Sequence, residues 1–263
     1  NGNIIVENDG NLIQINDNAT FTGNPITVYR ETNLKRLDYN YWSSPVENQN
    51  LQSFSPNTLS NRFYTYNESN DYFVTITPST NNFVPAKGYA IRSPNNFGTS
   101  NSVFKGVFNG KPNNGVKTTE IYKNGNGNNL VGNPYPSNIS FASFYAANSS
   151  IIEPKAYIWT NTNPNPPVMQ GSSYSGDNYA IMNITGAKPA QNQKVSEKPT
   201  DAIVVGQGFI VKKRNPGTEN ITFNNSMRVT NKGKFSNARI ASVEEPKIWL
   251  QLLTPAKNFN TIL

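Results

Sequence analysis

Sixteen acidic side chains, with no histidine and no cysteine, define the chemistry open to this 263-residue chain. Imidazole is the commonest general base near neutral pH, and a thiolate is the usual soft nucleophile and metal ligand. Their absence excludes a Ser-His-Asp triad, a cysteine nucleophile, a disulfide framework, and zinc or iron sites built on His or Cys. Glycoside hydrolysis needs only two carboxylates, and Asp38, Asp71, Asp177 and Asp201 are the acids to weigh. Spacing along the chain cannot set two of them face to face, and Asp38, close to Arg36 and Tyr39, reads as a structural partner. The serine-rich segment 171–176 has the wrong spacing for a nucleophile elbow and no base to activate it. The glycine-rich segment 123–129 lacks the Lys-Ser/Thr and the helix that complete a phosphate loop. Both read as surface loops, and the chain reads as non-enzymatic.

Binding chemistry is more open. Aromatic rings stack on sugar faces while amides fix hydroxyls, and Trp159, Tyr174 and Tyr179 are the candidate sugar-binding residues, with Tyr64, Tyr66 and Tyr72 as further candidates. The competing role for strand aromatics is core packing. No cofactor is expected, apart from calcium as an open candidate: Glu7, Asn8, Asp9 and Asp17 offer oxygen ligands without a calcium-loop spacing. Net charge is +7, and the longest basic run is Lys212-Lys213-Arg214, followed by Arg228, Lys232 and Lys234. No nucleic-acid motif accompanies it, so it reads as a solvated face and no nucleic-acid partner is expected. No stretch approaches the ~20 apolar residues of a spanning helix, so no membrane insertion is expected.

The elements that would position these residues are strands. Asn supplies about one residue in six, favouring turns and weakening helix interiors. The hydrophobic fraction is 35% and aromatics reach 11%, a balance suited to thin β layers. Strand-like runs fall at 25–31, 37–42, 62–66, 71–77, 87–92 and 102–109, then at 128–132, 155–160, 178–184, 202–213 and 219–230. Only 140–147 reads as helix, with Ser140 as N-cap. Asp9-Gly10 predicts a tight hairpin between two short β runs. The order of landmarks repeats: Tyr41-Trp42-Ser43-Ser44-Pro45 is echoed by Leu130-Val131-Gly132-Asn133-Pro134, and Gly88-Tyr89-Ala90-Ile91-Arg92 by Gly208-Phe209-Ile210-Val211-Lys212. The reading is all-β: a lead-in at 1–30 that suits the end of a β-solenoid, tandem β-sandwich-like (jelly-roll-like) units at 31–118 and 119–230, a linker at 231–246, and a further β domain opening at 247–263. The abrupt ends suggest an internal piece of a longer chain.

The segment Arg36-Leu37-Asp38-Tyr39-Asn40-Tyr41-Trp42-Ser43-Ser44-Pro45-Val46, with Asn129-Leu130-Val131-Gly132-Asn133-Pro134-Tyr135-Pro136-Ser137 and Phe223-Asn224-Asn225-Ser226-Met227-Arg228, resembles large flavobacterial (Bacteroidetes) cell-surface proteins. The resemblance covers about residues 35 to 253. It implies export by the type IX secretion machinery as a partner, and an extracellular, outer-membrane-associated location. It carries no catalytic residues to transfer. The expected function is a structural or adhesive segment of an adhesin or surface scaffold, linked to attachment or gliding motility. Self-association, other surface proteins or polysaccharide are the expected partners. The alternative is a carbohydrate-binding accessory region of a secreted polysaccharide-degrading enzyme.

Overall fold

The computed structural model describes residues 2–161, 178–191, 193–194, 198–231 and 233, together with the backbone of 249–253 and 258–262. It is an all-β protein. After β1 (Ile5–Val6), a first unit runs through β2 (Ile26–Leu34), β3 (Tyr39–Trp42), α1 (Leu51–Phe54), β4 (Phe63–Asn67), β5 (Tyr72–Thr75), β6 (Tyr89–Arg92) and β7 (Ser102–Gly110). The second runs through β8 (Lys117–Lys123), β9 (Asn128–Gly132), β10 (Asn138–Ser140), α2 (Phe141–Asn148), β11 (Ile152–Trp159), β12 (Tyr179–Asn183), β13 (Gly186–Lys188), β14 (Ala202–Ile203), β15 (Gly208–Lys213), β16 (Gly217–Phe223) and β17 (Arg228–Val229). A hairpin of β18 (Trp249–Leu253) and β19 (Asn258–Ile262) follows.

The sequence echo is a repeat of topology and of register. In the first unit the sheet order is β3-β6-β4-β5, and in the second β9-β15-β11-β12-β13. Tyr41 faces Ala90 and Trp42 faces Tyr89; at matching positions Leu130 faces Ile210 and Val131 faces Phe209. The long ribbons β2-β7 and β8-β16 match in the same way. Each ribbon covers a sheet. In β2 strict alternation turns Ile26, Val28 and Leu34 inward, and in β7 Phe104 and Phe108 meet them while Val103, Lys105 and Val107 face solvent. Lys105 lies over the Tyr29 ring at 3.7 Å, a cation–π contact on that outer face. Trp42, Phe54, Phe83 and Phe108 form the centre of the first core; Phe144, Phe209 and Phe223 form that of the second. The helix appears at 141–148, its first turn capped by Ser140.

The units do not follow one another as separate beads. Their contacts are reciprocal, as a twofold axis between two copies requires. The Ser43 amide donates to the Gly206 carbonyl at 2.9 Å, and the equivalent Gly132 amide donates to the Ala86 carbonyl, also at 2.9 Å. Trp42 bridges to Gln207, and Val131 to Lys87. Ala86, from the first unit, is buried in the second core, while Val204 and Val205, from the second, are buried in the first. Each unit thus lends an arm to its neighbour's interior. The arm bends at a left-handed residue in both copies, Ala86 with φ 65° and Gly206 with φ 76°. An L side chain there costs about 1–2 kcal/mol, and a Cβ on Gly206 would meet Phe108 at an ordinary 3.4 Å. Gly206→Ala should therefore fold normally and lose about 1 kcal/mol, read as a small drop in urea midpoint; no change would mean that Ala86 sits in its bend without cost.

Several expectations are corrected. Asp9-Gly10 does turn the chain, with the Gly10 amide bonding the Glu7 carbonyl at 2.8 Å, but the run after it forms no hairpin strand. Leu12 instead donates to Pro136 of the second unit, and β1 pairs parallel with β2. The run 202–213 is two strands separated by the Gly206 bend, and 219–230 is likewise broken after Phe223. The strands β8, β10 and β13 and the short helix α1 fall outside the runs read from sequence, β13 in a stretch, 186–200, that reads as a loop. The repeated pattern begins at Ile26 and Lys117, slightly ahead of the boundaries drawn from sequence.

Candidate functional site

Four of the aromatic residues singled out for binding, Tyr64, Tyr66, Trp159 and Tyr179, converge on the seam between the two units. Tyr41, Tyr64, Trp159, Leu130, Ala90 and Ile210 form a third buried cluster, with Tyr39, Tyr66, Phe73, Tyr157 and Tyr179 packed against it. By strand register Tyr66 opposite Phe73 corresponds to Trp159 opposite Tyr179, so each unit contributes the same pair of positions. Trp159 is 3% exposed. Its ring stacks on Tyr41 at 5.7 Å and meets Tyr179 edge-on at 5.2 Å, and its Nε1 donates to the Tyr39 carbonyl at 3.0 Å. The Tyr41 and Tyr179 hydroxyls are 2.7 Å apart. Of the candidate sugar residues, Trp159 and Tyr64 are therefore packed inside the seam, and Tyr66 and Tyr179 are half-buried along it. Tyr72, on the edge strand β5, is 51% exposed. Tyr174 lies outside the described residues, as do Asp177 and the segment 171–176.

The described candidate carboxylates are engaged by other groups of the chain. Asp38 accepts from the Lys35 amide at 2.8 Å, and Asp201 accepts from Ser140 Oγ at 2.8 Å and the Ala142 amide at 3.1 Å, fixing the start of α2. Asp71 accepts from the Tyr66 hydroxyl and from Asn126 Nδ2. The calcium candidates are divided. Asp9 pairs with the buried Arg30 at 2.6 Å, the Asn8 side chain receives the Glu31 amide at 3.0 Å, and Asp17 receives the Asn225 amide at 3.2 Å. Among the described residues no group of three or more carboxylates is placed to hold a metal ion.

The basic run is not a solvated face. Lys213 is fully buried and pairs with Glu219, while Lys212, 3.9 Å from Glu153, and Arg214, which binds the carbonyls of Ser149 and Ile152, are half-buried; Lys232 and Lys234 lie outside the described residues. Arg228 is buried over the Tyr135 ring at 4.8 Å and donates to Ser137 Oγ, Asn225 Oδ1 and the Leu12 carbonyl. Burial pushes its pKa down to about 10, which leaves it charged at neutral pH. The lead-in is thereby tied to both units, through Arg30 to the first and Arg228 to the second. Sequence reading missed this, because a buried arginine and an exposed one have the same local spelling.

The glycine-rich segment 123–129 does hold an anion, and the anion is the protein's own. Glu68, in the turn between β4 and β5, is 4% exposed and reaches across the seam. Its carboxylate accepts from the amides of Asn124 at 2.8 Å, Gly125 at 2.9 Å and Gly127 at 2.7 Å. Converging backbone amides of this kind form an anion-binding nest. Burial opposes the charge of Glu68, but the amides of Asn124, Gly127 and Gly125 outweigh it and hold the pKa below the usual carboxylate range. The latch is therefore at full strength above the unfolded value of ~4.3 and fails as pH falls through the lower folded value. Acid unfolding of the protein should be steeper than that of Glu68→Gln, which has no charge to lose; identical slopes would remove Glu68 from the balance.

Together the geometry defines a two-unit β protein whose halves are joined by an internally symmetric, aromatic, hydrogen-bonded seam. The chain belongs to the family described as a domain of unknown function, DUF8693, whose model matches residues 1–263. No curated protein and no solved structure matches it.

Proposed function

We propose that this chain is a non-catalytic structural segment of a secreted bacterial cell-surface protein, acting as a stiff two-unit spacer that presents or positions adhesive regions. The supporting observation is the use made of the chemically capable residues: the described aspartates considered for catalysis, the buried Arg30, Lys213 and Arg228, and the seam aromatics all join one part of the chain to another. A spacer that transmits position needs its units fixed relative to each other, and a reciprocal arm exchange with a shared aromatic cluster meets that need. Adhesion by such a protein comes from many weak contacts rather than one deep site. Export through the type IX machinery and outer-membrane residence belong to the same proposal and rest on the signature segments around Trp42 and Asn133.

Antibodies against this chain should label intact cells of the producing bacterium, and the isolated chain should give no saturable signal on a glycan array. Failure to label intact cells, with recovery from the cytoplasm, would overturn the surface assignment. The second reading, a carbohydrate-binding accessory region, is favoured by exposed Tyr72 on edge strand β5. Saturable glycan binding abolished by Tyr72→Ala, with unfolding unchanged, would move the assignment there.

A further inference from the structure

We propose that the loop between β8 and β9 is a latent deamidation site, kept closed by Glu68, and that its modification would release the seam at this end. The loop carries two Asn-Gly pairs, Asn124-Gly125 and Asn126-Gly127, with Asn124, Gly125 and Asn126 exposed. Asn-Gly in a turn is the dipeptide most prone to this reaction, since glycine puts no side chain in the path of attack. The following amide nitrogen loses its proton and attacks the asparagine Cγ, and the side-chain nitrogen leaves as ammonia. Water then opens the succinimide to aspartate or isoaspartate.

Attack requires the in-plane position of the glycine nitrogen, where its hydrogen sits, to turn toward Cγ. In this structure that position faces Glu68 at both pairs, because the amides of Gly125 and Gly127 both donate to Glu68 Oε1. The other described Asn-Gly pairs are held differently. Gly110 pairs with Ile26 in the β2-β7 ladder, and the Gly115 amide donates to Asn225 Oδ1 at 3.3 Å. Only the β8–β9 loop, among the described residues, depends on one carboxylate from the other unit. Modification there would not be silent. Asn126 Nδ2 donates to Asp71 Oδ2 at 3.1 Å, so conversion of Asn126 to an acid replaces that donor with a second negative charge, and conversion of Asn124 sets a carboxylate beside Glu68.

The test is the full chain held in mildly alkaline buffer, with peptide mass spectrometry over 124–127. Wild-type protein should deamidate there far more slowly than a free peptide of residues 121–130. Glu68→Ala should accelerate it on the order of tenfold, the scale of losing a charge-assisted hydrogen bond. Glu68→Gln should stay near wild type, since its amide oxygen can still receive Gly125 and Gly127. Wild-type protein as fast as the peptide would overturn the proposal even if Glu68→Ala fails to fold. So would a folded Glu68→Ala with an unchanged rate, or one that is slower, which would make Glu68 a base rather than a guard.

Discussion

Trp159→Ala should cost about 3–5 kcal/mol, the range for removing a buried large aromatic ring, and should do so through the seam. The side chain leaves behind the stacked Tyr41 face, the edge contact with Tyr179 and the Tyr39 carbonyl that its indole N–H serves. Tyr41 belongs to the first unit and Tyr179 to the second, so the void opens between the units. Urea unfolding would show this as a large fall in midpoint, with Trp159→Phe intermediate because it keeps ring packing but loses the donor. A change under 1 kcal/mol, below any ordinary cost for emptying such a site, would mean that the ring is dispensable to the join. The result also bears on ligand mapping: a glycan signal lost in Trp159→Ala would report damage to the seam, whereas Tyr72 can be changed without touching it.

The second large effect lies where the symmetry leaves room for only one side chain. Ser43 and Gly132 occupy equivalent positions, and a Cβ built on Gly132 overlaps the Cβ of Ser43. Nearby strands also cross closely, though less so: a Cβ on Gly88 would lie 2.7 Å from the Val131 carbonyl, and one on the equivalent Gly208 2.9 Å from Tyr41 Cβ. Gly132→Ser should destabilise by about 3 kcal/mol, the upper end for overpacking a dense interior. The double variant Ser43→Gly with Gly132→Ser exchanges the occupant of the axis and should recover most of that loss. A coupling energy near zero in this double-mutant cycle would mean that the two positions do not share one space.

Much of the fold can be read from the chain. Alternation in 26–34 and 102–110, the Pro turns after Trp42 and Gly132, and the Ser140 cap all act locally, so local spelling carries them. The repeat is also visible, since Gly88-Tyr89 and Gly208-Phe209 stand at matching places in register with Trp42 and Val131. Missing from the local pattern is how the halves meet. Nothing near Trp159 says that its ring faces Tyr41, more than a hundred residues away, and nothing near Glu68 points to Gly125 and Gly127. The β8 strand, Lys117–Lys123, carries more charged and hydroxyl residues than apolar ones because most of its length is solvated, so its hydrophobic signal reduces mainly to buried Ile121. Arg228 reads as a surface charge because its partner, the Leu12 carbonyl, lies more than two hundred residues away, and Lys213 does so because its spelling does not show that its side chain turns inward to meet Glu219.

The most direct test of a single two-unit body is native-state hydrogen exchange of the central sheet amides in each half. Ile91 in β6 and Val211 in β15 occupy equivalent positions, facing Asn40 and Asn129 across their strands. If the seam fuses the units, both amides should exchange only through global unfolding, with the same opening free energy and the same response to urea. Two different opening free energies, with one half exchanging while the other stays protected, would contradict the account and leave two independent domains joined by a linker.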